Sequence, residues 1–405
     1  MYFKIEYIKN GRINETVVSA KNIQEAVKKF RQKNLGILKE VYEIKKQSFF
    51  EELQEKLELS KIDLEEYIAV LEQIYVMLDA GMGIDIVLSN VLKGIKNKKL
   101  KKIFSSVLQD IQAGFSLTNA FEKYEASLGK LTTSMIRLGE ETGDLARAVK
   151  DLSMILNEIL ENRKRLKKAT RYPMFIIFAM SIAFVIVILF VIPPFKAIFQ
   201  QLHTQLPLPT RFLLWVEYAL QHYGLYVLGG ALLIMGMISY MYNTNDKVKL
   251  FLDKLILKVY IVGPVIKLAM IGRFTYVLQR LVDAGIPIID AVDISLNIVD
   301  NSYIRTNLEK IKQNIISGNS IYKGFEESGM FESMTVQMVQ AGEESGAIVR
   351  MLEKVSRYYL DKYRYIVDNI AVMIEPILIA AIAGFVMTLA LGIFLPMWNL
   401  TQAVQ

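Results

Sequence analysis

The sequence predicts an all-α membrane protein with two homologous helical-bundle domains and three transmembrane helices, preceded by a small N-terminal α+β module. Long uncharged apolar runs predict the membrane part, and a set of short motifs repeated half a chain apart predicts the paired bundles. Alternating residues around Asn10-Gly11 predict the module. Composition agrees: 53% of the 405 residues are hydrophobic and 22% are charged, with a mean hydropathy of +0.30, as when polar domains are joined to membrane segments. Cysteine is absent. That excludes a disulfide framework, a thiolate zinc site and a cysteine nucleophile, and leaves packing to hold the fold.

The membrane segments come from charge-free runs. No charged side chain lies between Arg171 and Lys196, between Glu217 and Asp246, or from Pro376 to Gln405. A helical crossing takes about 20 residues, so spans are expected at 172–195, 221–243 and 376–400, with an outer loop at 196–220 and an outer tail at 401–405. Arg163, Lys164, Arg165, Lys167, Lys168 and Arg171 precede the first run, and Lys247, Lys249, Lys254, Lys258 and Lys267 follow the second. The loop between them has only Lys196, Arg211 and Glu217. Basic residues mark the cytoplasmic side, so the N-terminus and both bundles are expected inside and the C-terminus outside. Trp215, Tyr218 and Trp398 fit an outer aromatic belt. The net charge of +7 is explained by this topology and by anionic lipid rather than by nucleic acid. Residues 1–30 carry no continuous apolar stretch of signal-peptide type, so insertion is expected to rely on the internal spans.

The repeat sets the architecture. Leu78-Asp79-Ala80-Gly81-Met82-Gly83-Ile84 recurs as Val282-Asp283-Ala284-Gly285-Ile286-Pro287-Ile288, and Ile111–Leu117 recurs as Ile315–Ile321, both at an offset of 204. Gly139-Glu140-Glu141-Thr142-Gly143-Asp144-Leu145 recurs as Gly342-Glu343-Glu344-Ser345-Gly346-Ala347-Ile348, at an offset of 203. Pro173 and Pro376 keep that offset, so each bundle is followed by a span. The bundles are expected at 65–171 and 244–375. Ile68, Leu71, Ile74 and Leu78 share one helix face, as do Val349, Leu352, Val355 and Tyr359. Gly81 and Gly285 suit left-handed helix ends, Gly114 and Gly318 suit turns, and Ser116 and Ser320 suit N-caps. The first 46 residues read as strand, turn, strand, helix (22–33) and strand (38–44), and a charged linker at 47–64 joins them to the first bundle.

Catalytic constellations are not found. The sequence has no G-x-x-x-x-G-K-[ST] phosphate loop, and its two histidines, His203 and His222, do not have zinc-protease spacing. An intramembrane aspartyl protease would need two aspartates within the spans, and the spans contain none. No catalytic, cofactor or metal set is therefore expected.

The sharpest local signals are Glu140-Glu141, between Gly139 and Gly143, and Glu343-Glu344, between Gly342 and Gly346. They have three readings: a helix start, where carboxylates favour the positive end of the dipole; a docking surface for a partner; and metal binding. Glu375, just before Pro376, sits at a membrane boundary and is either solvated at the interface or paired with a base on another helix.

These residues resemble the type II secretion F protein family, which includes the platform proteins of type IV pili and of competence pseudopili. The carriers are A-G-M-G-I at 80–84, A-G-I-P-I at 284–288, G-E-E-T-G-D-L at 139–145, G-E-E-S-G-A-I at 342–348, Tyr172-Pro173, Leu206-Pro207-Leu208-Pro209-Thr210, Glu375-Pro376 and Leu395-Pro396. The sequence departs from the pattern at Gly83, where the second copy has Pro287, and at Ala347, where the first has Asp144. The resemblance implies a non-enzymatic inner-membrane platform, a homodimer or higher homo-oligomer. Its implied partners are a cytoplasmic assembly ATPase, pilins or pseudopilins, other inner-membrane assembly proteins and the lipid bilayer, with no direct nucleic-acid contact. A passive scaffold or receptor is the runner-up, and an intramembrane protease is third.

Overall fold

The computed structural model describes residues 2–9, 12–19, 23–32, 37–44, 62–191, 193 and 208–403. The chain divides into two compact units, Met1–Val70 with Gly83–Ser116, and Leu71–Met82 with Leu117–Gln405.

In the first unit, β1 (Tyr2–Lys9), β2 (Arg12–Ser19) and, beyond helix α1 (Ile23–Gln32), β3 (Ile37–Ile44) form a sheet of order β2-β1-β3. Both pairings are antiparallel. Tyr2 faces Ser19 in one, and the register shifts between Glu6 and Tyr7 in the other. The expected turn at Asn10-Gly11 and the charged stretch 45–61 lie outside the described residues. Helix α2 (Leu64–Asp79) starts in this unit, followed by α3 (Ile84–Gly94) and α4 (Lys98–Gln112). The Glu66 carboxylate accepts from the backbone N–H of Asn97 at 3.0 Å, and the Asn97 side chain caps α4 by accepting from Leu100 N–H at 2.9 Å. Tyr67, Val87, Leu88, Val91, Leu100, Phe104 and Val107 are buried.

The second unit holds the rest of α2 and then α5 (Leu117–Glu122), α6 (Glu125–Leu128), α7 (Lys130–Thr142) and α8 (Leu145–Ile186), which runs into a π-helical turn, Val187–Val191. Next come α9 (Leu208–Thr244), α10 (Asp246–Ile256), α11 (Val262–Asp283), α12 (Ile288–Leu296) and α13 (Ser302–Ile316). The chain continues through α14 (Ile321–Ser328), α15 (Ser333–Glu344), α16 (Ile348–Asp368) and α17 (Ile370–Ala403). The core of this unit is α11 against α16. Ile271, Phe274, Val277, Leu278 and Leu281 are buried, as are Leu352, Val355, Tyr359 and Val367. Gly272 lets the two helices close up, since a Cβ there would sit 3.3 Å from Leu360 Cδ2. The predicted faces hold: Ile68, Leu71, Ile74, Leu352, Val355 and Tyr359 are buried, and Leu78 and Val349 are half-buried.

Among the described residues two helical stretches, Leu145–Phe190 and Ile348–Gly392, are long and apolar enough to cross a membrane; there are three if Arg211–Gly224 and Gly229–Thr244, bent by 71°, count as one. Pro173 sits inside α8 although it has no N–H to offer the Ala169 carbonyl one turn back. The apolar ends of α8, α9 and α17 pack together through buried Ile188 and Leu213, with Phe184 and Leu389 against them. A Cβ at Gly392 would lie 2.5 Å from Leu213 Cδ1, so this glycine sets how closely α9 and α17 approach.

Within the stretch 196–220, expected as an outer loop, the residues from Leu208 on are helical and form the start of α9. Between Arg211 and Glu217, Phe212-Leu213-Leu214-Trp215-Val216 is an apolar stretch. Leu213 and Glu217, one helical turn apart, are both buried, and one Glu217 carboxylate oxygen is buried without a hydrogen-bond partner among the described residues.

Candidate docking surface at the paired acidic motifs

Each acidic motif ends one helix and begins the next. Glu140 lies in the last turn of α7 and Glu343 in the last turn of α15, so the helix-start reading is corrected. At that end the helix's own dipole disfavours a carboxylate. Another helix compensates: Glu140 accepts from the N–H groups of Leu117 and Thr118, at 2.9 and 3.0 Å, and so caps the start of α5. Glu343 does the same for α14, accepting from Ile321 and Tyr322 N–H at 2.8 and 3.1 Å. The first N–H groups of a helix have no partner within it, so a carboxylate placed there satisfies two donors at once. Burial pushes the Glu140 carboxyl up, but the Thr118 and Leu117 hydrogen bonds outweigh it and hold the pKa below the ordinary glutamate value. The predicted cap Ser320 makes no side-chain cap bond; Glu343, 22 residues beyond Ile321, supplies it.

The flanking glycines have two different tasks. Gly139 and Gly342 face the helix that follows: a Cβ would lie 2.9 Å from Ala148 Cβ in the first copy and 2.7 Å from Met351 Cβ in the second. Gly143 and Gly346 adopt φ of 74° and 69°, which reverses the chain at little cost only without a side chain. After that turn the copies diverge. Asp144 caps α8 by accepting from Arg147 N–H at 3.0 Å, whereas Ala347 has nothing to cap α16 with.

The second glutamates are left for other work. Both Glu141 and Glu344 are exposed. Gln340 donates to Glu344 at 2.8 Å along its own helix. Glu141 borders a cavity of about 250 Å³ between α7 and α12, with Lys130, Arg137, Asp290 and Asp293 among its walls. Asp293 accepts from Lys130 and Lys312, tying α7 to α12 and α13, and those hydrogen bonds hold its carboxyl below the usual aspartate range. Among the described residues no group of three His, Asp or Glu side chains is placed to hold a metal.

The remaining predicted residues lie elsewhere. Pro173 is buried in α8, and Glu375 and Pro376 are exposed near the start of α17, so neither joins the acidic motifs. Sequence reasoning missed the ion pairs of α8 with α16, Arg364 with Glu158 at 2.7 Å and Arg165 with Asp368 at 2.9 Å.

Residues 70–193 and 274–396 each match the family described as type II secretion system (T2SS), protein F. The chain belongs to this family. The two matches start 204 residues apart and end 203 apart, the spacing of the repeated motifs. The type IV pilus assembly protein PilC of Thermus thermophilus is 27% identical over 405 residues, covering 98% of each chain. TapC of Aeromonas hydrophila, also a type IV pilus assembly protein, is 27% identical over 335 residues, 83% of this chain and 81% of its own. The type II secretion system protein F of Aeromonas hydrophila is 25% identical over 336 residues, 83% of this chain and 86% of its own. Family membership and the apolar helices together make this an inner-membrane protein.

Proposed function

We propose that this chain is the non-enzymatic platform of a type II secretion, type IV pilus or competence-pseudopilus assembly machine, coupling a cytoplasmic ATPase to the insertion of pilin-like subunits into a filament. The observation that carries the reading is mechanical continuity. Helix α8 runs 42 residues without a break, from the turn at Gly143 into the apolar stretch, which is roughly 63 Å at 1.5 Å per residue. In the second copy only Asn369 separates α16 from α17. A push on the first acidic motif is therefore delivered to a span by one continuous helix, and a push on the second crosses a single non-helical residue.

In this reading the chain crosses the membrane three times, at 172–195, within α9 and at 376–400, N-terminus inside and C-terminus outside. The bundles at 65–171 and 244–375 face the cytoplasm, the strands and α1 form a self-contained α+β module, and the platform works as a homo-oligomer. Docking falls to Glu141 and Glu344, since Glu140 and Glu343 are occupied within the fold. Topology reporters fused at residues 150, 205, 320 and 405 should read in, out, in, out; a cytoplasmic signal at 405 would overturn the arrangement. Capture of the ATPase by the full chain in membranes separates the platform from a passive scaffold, which would not retain it.

A further inference from the structure

We infer that α10 and the turn after it form a membrane-surface element, seated on the lipid interface by Leu250, Phe251 and Leu255 and held to anionic headgroups by Lys247, Lys254 and Lys258. The inference rests on the membrane reading above. Asn245 breaks the helix between α9 and α10: its backbone is extended, and its side chain accepts from Lys247 and Val248 N–H at 3.0 and 3.4 Å. The chain is thus redirected one residue past the end of α9, and α10 starts beside the membrane. Its inner face is committed. Asp253 is buried and accepts from Tyr242 Oη at 3.0 Å and from Ser302 N–H and Oγ at 2.7 and 2.6 Å, while Asn301 donates to the Asp253 carbonyl at 3.1 Å. With Asp253 fixed to the end of α9 and the start of α13, the opposite arc cannot turn inward.

At 3.6 residues per turn that arc carries Leu250, Lys254, Lys247, Phe251 and Leu255 in succession, and Lys258 follows in the turn after the helix. Phe251 is 64% exposed and Leu255 49%. The turn that follows continues the pattern, with Tyr260 73% exposed. Its backbone is forced: Ile261 is buried at φ 65°, and a Cβ on Gly263 would lie 2.1 Å from the Leu257 carbonyl oxygen. A strained turn that keeps an aromatic side chain outward signals a use for that side chain. Residues 246–267 hold five lysines against two aspartates, of which Asp253 is buried. Apolar and aromatic side chains mixed with lysines beside a span suit the headgroup layer, where lysines reach up to phosphate while the apolar groups sink.

The cysteine-free chain allows a direct test. The full-length protein carrying Phe251→Cys, Leu255→Cys, Phe178→Cys or Ile316→Cys is spin-labelled and placed in phosphatidylethanolamine–phosphatidylglycerol nanodiscs. Collision with oxygen reports lipid, and collision with a water-soluble nickel chelate reports solvent. Labels at 251 and 255 should be oxygen-accessible several-fold above the label at 316, and the contrast should shrink with Lys254→Glu/Lys258→Glu. Nickel access at 251 and 255 equal to that at 316, with 178 still in lipid, would overturn the inference alone. Protection at 251 and 255 from both reagents would also overturn it, because a protein surface would then cover the patch. Nickel access at 178 would sink the membrane reading and this inference with it.

Discussion

The two copies of the acidic motif agree in what folds them and differ in what they show to solvent. In both, the first glycine admits the next helix, the first glutamate caps a helix 22 or 23 residues upstream, and the second glycine reverses the chain. Beyond that, the first copy has an aspartate cap and a glutamate at a charged cavity, and the second has an alanine and a glutamate bonded within its own helix. Duplication has kept the internal staple and released the outer face. A motif repeated at fixed spacing is therefore no sign in itself of a binding surface.

The largest effect is expected from filling the close approach. Gly342→Val adds branched bulk where even a Cβ would come within 2.7 Å of Met351, and Gly139→Val does so 2.9 Å from Ala148. Each should lose about 2–3 kcal/mol, the upper part of the range for overpacking, read as a fall in the thermal midpoint of the detergent-solubilised protein. If only one copy responds, the packing is not equivalent in the two halves.

Removing the staple comes next. Glu140→Ala and Glu343→Ala should each cost about 1 kcal/mol, as for loss of an N-cap. The Glu140 contribution also has a definite pH dependence. Its folded pKa lies below the ordinary 4.5, so the stabilisation is complete above that value and is lost as pH falls through the depressed one. The gap between the wild type and Glu140→Gln should hold steady from pH 7 to about 4.5 and close below it. A gap that widens in acid would contradict the hydrogen bonds assigned to this carboxylate.

A smaller effect tests the point where the copies part. Asp144→Ala should cost about 0.5–1 kcal/mol by removing the cap of α8, and Ala347→Asp should return a similar amount to α16. Unfolding in denaturant would show both. No gain from Ala347→Asp would mean that the turn at Gly346 holds residue 347 away from capping geometry.

Much of this was readable from residue order because it is local or periodic. The glycine turns, the buried faces of α2 and α16, the apolar runs and the duplication all rest on spacings along the chain. The role of Glu140 was not readable, because it depends on the start of α5 lying across from the end of α7. A carboxylate at the wrong end of its own helix was the available sign. Ser320 misled for a related reason: a serine before a helix is a good cap by propensity, but a longer-range carboxylate took the two N–H groups. The start of α9 at Leu208 lies ahead of the charge-free run that opens after Glu217, so the spacing of charges did not reveal it.

The smallest expected change in stability belongs to the residues proposed to act in function. Glu141→Lys and Glu344→Lys alter exposed side chains that cap nothing, and each should shift stability by less than about 0.5 kcal/mol. The same reversals in Glu140 or Glu343 would break the staple, so a paired substitution would confuse misfolding with lost docking. If the second glutamates meet a basic partner surface, reversal places like charges face to face, which costs several kcal/mol of binding. Filament-dependent export should then fail while the membrane fraction still holds the chain at wild-type abundance. The copies need not respond alike. Glu141 stands among Lys130, Arg137, Asp290 and Asp293, and a lysine there also adds charge beside the Asp293 clamp, whereas Glu344 gives up only its bond from Gln340. Loss of export in Glu344→Lys with normal abundance would thus be the cleaner sign of docking. Wild-type export from both variants would remove these glutamates from the partner surface.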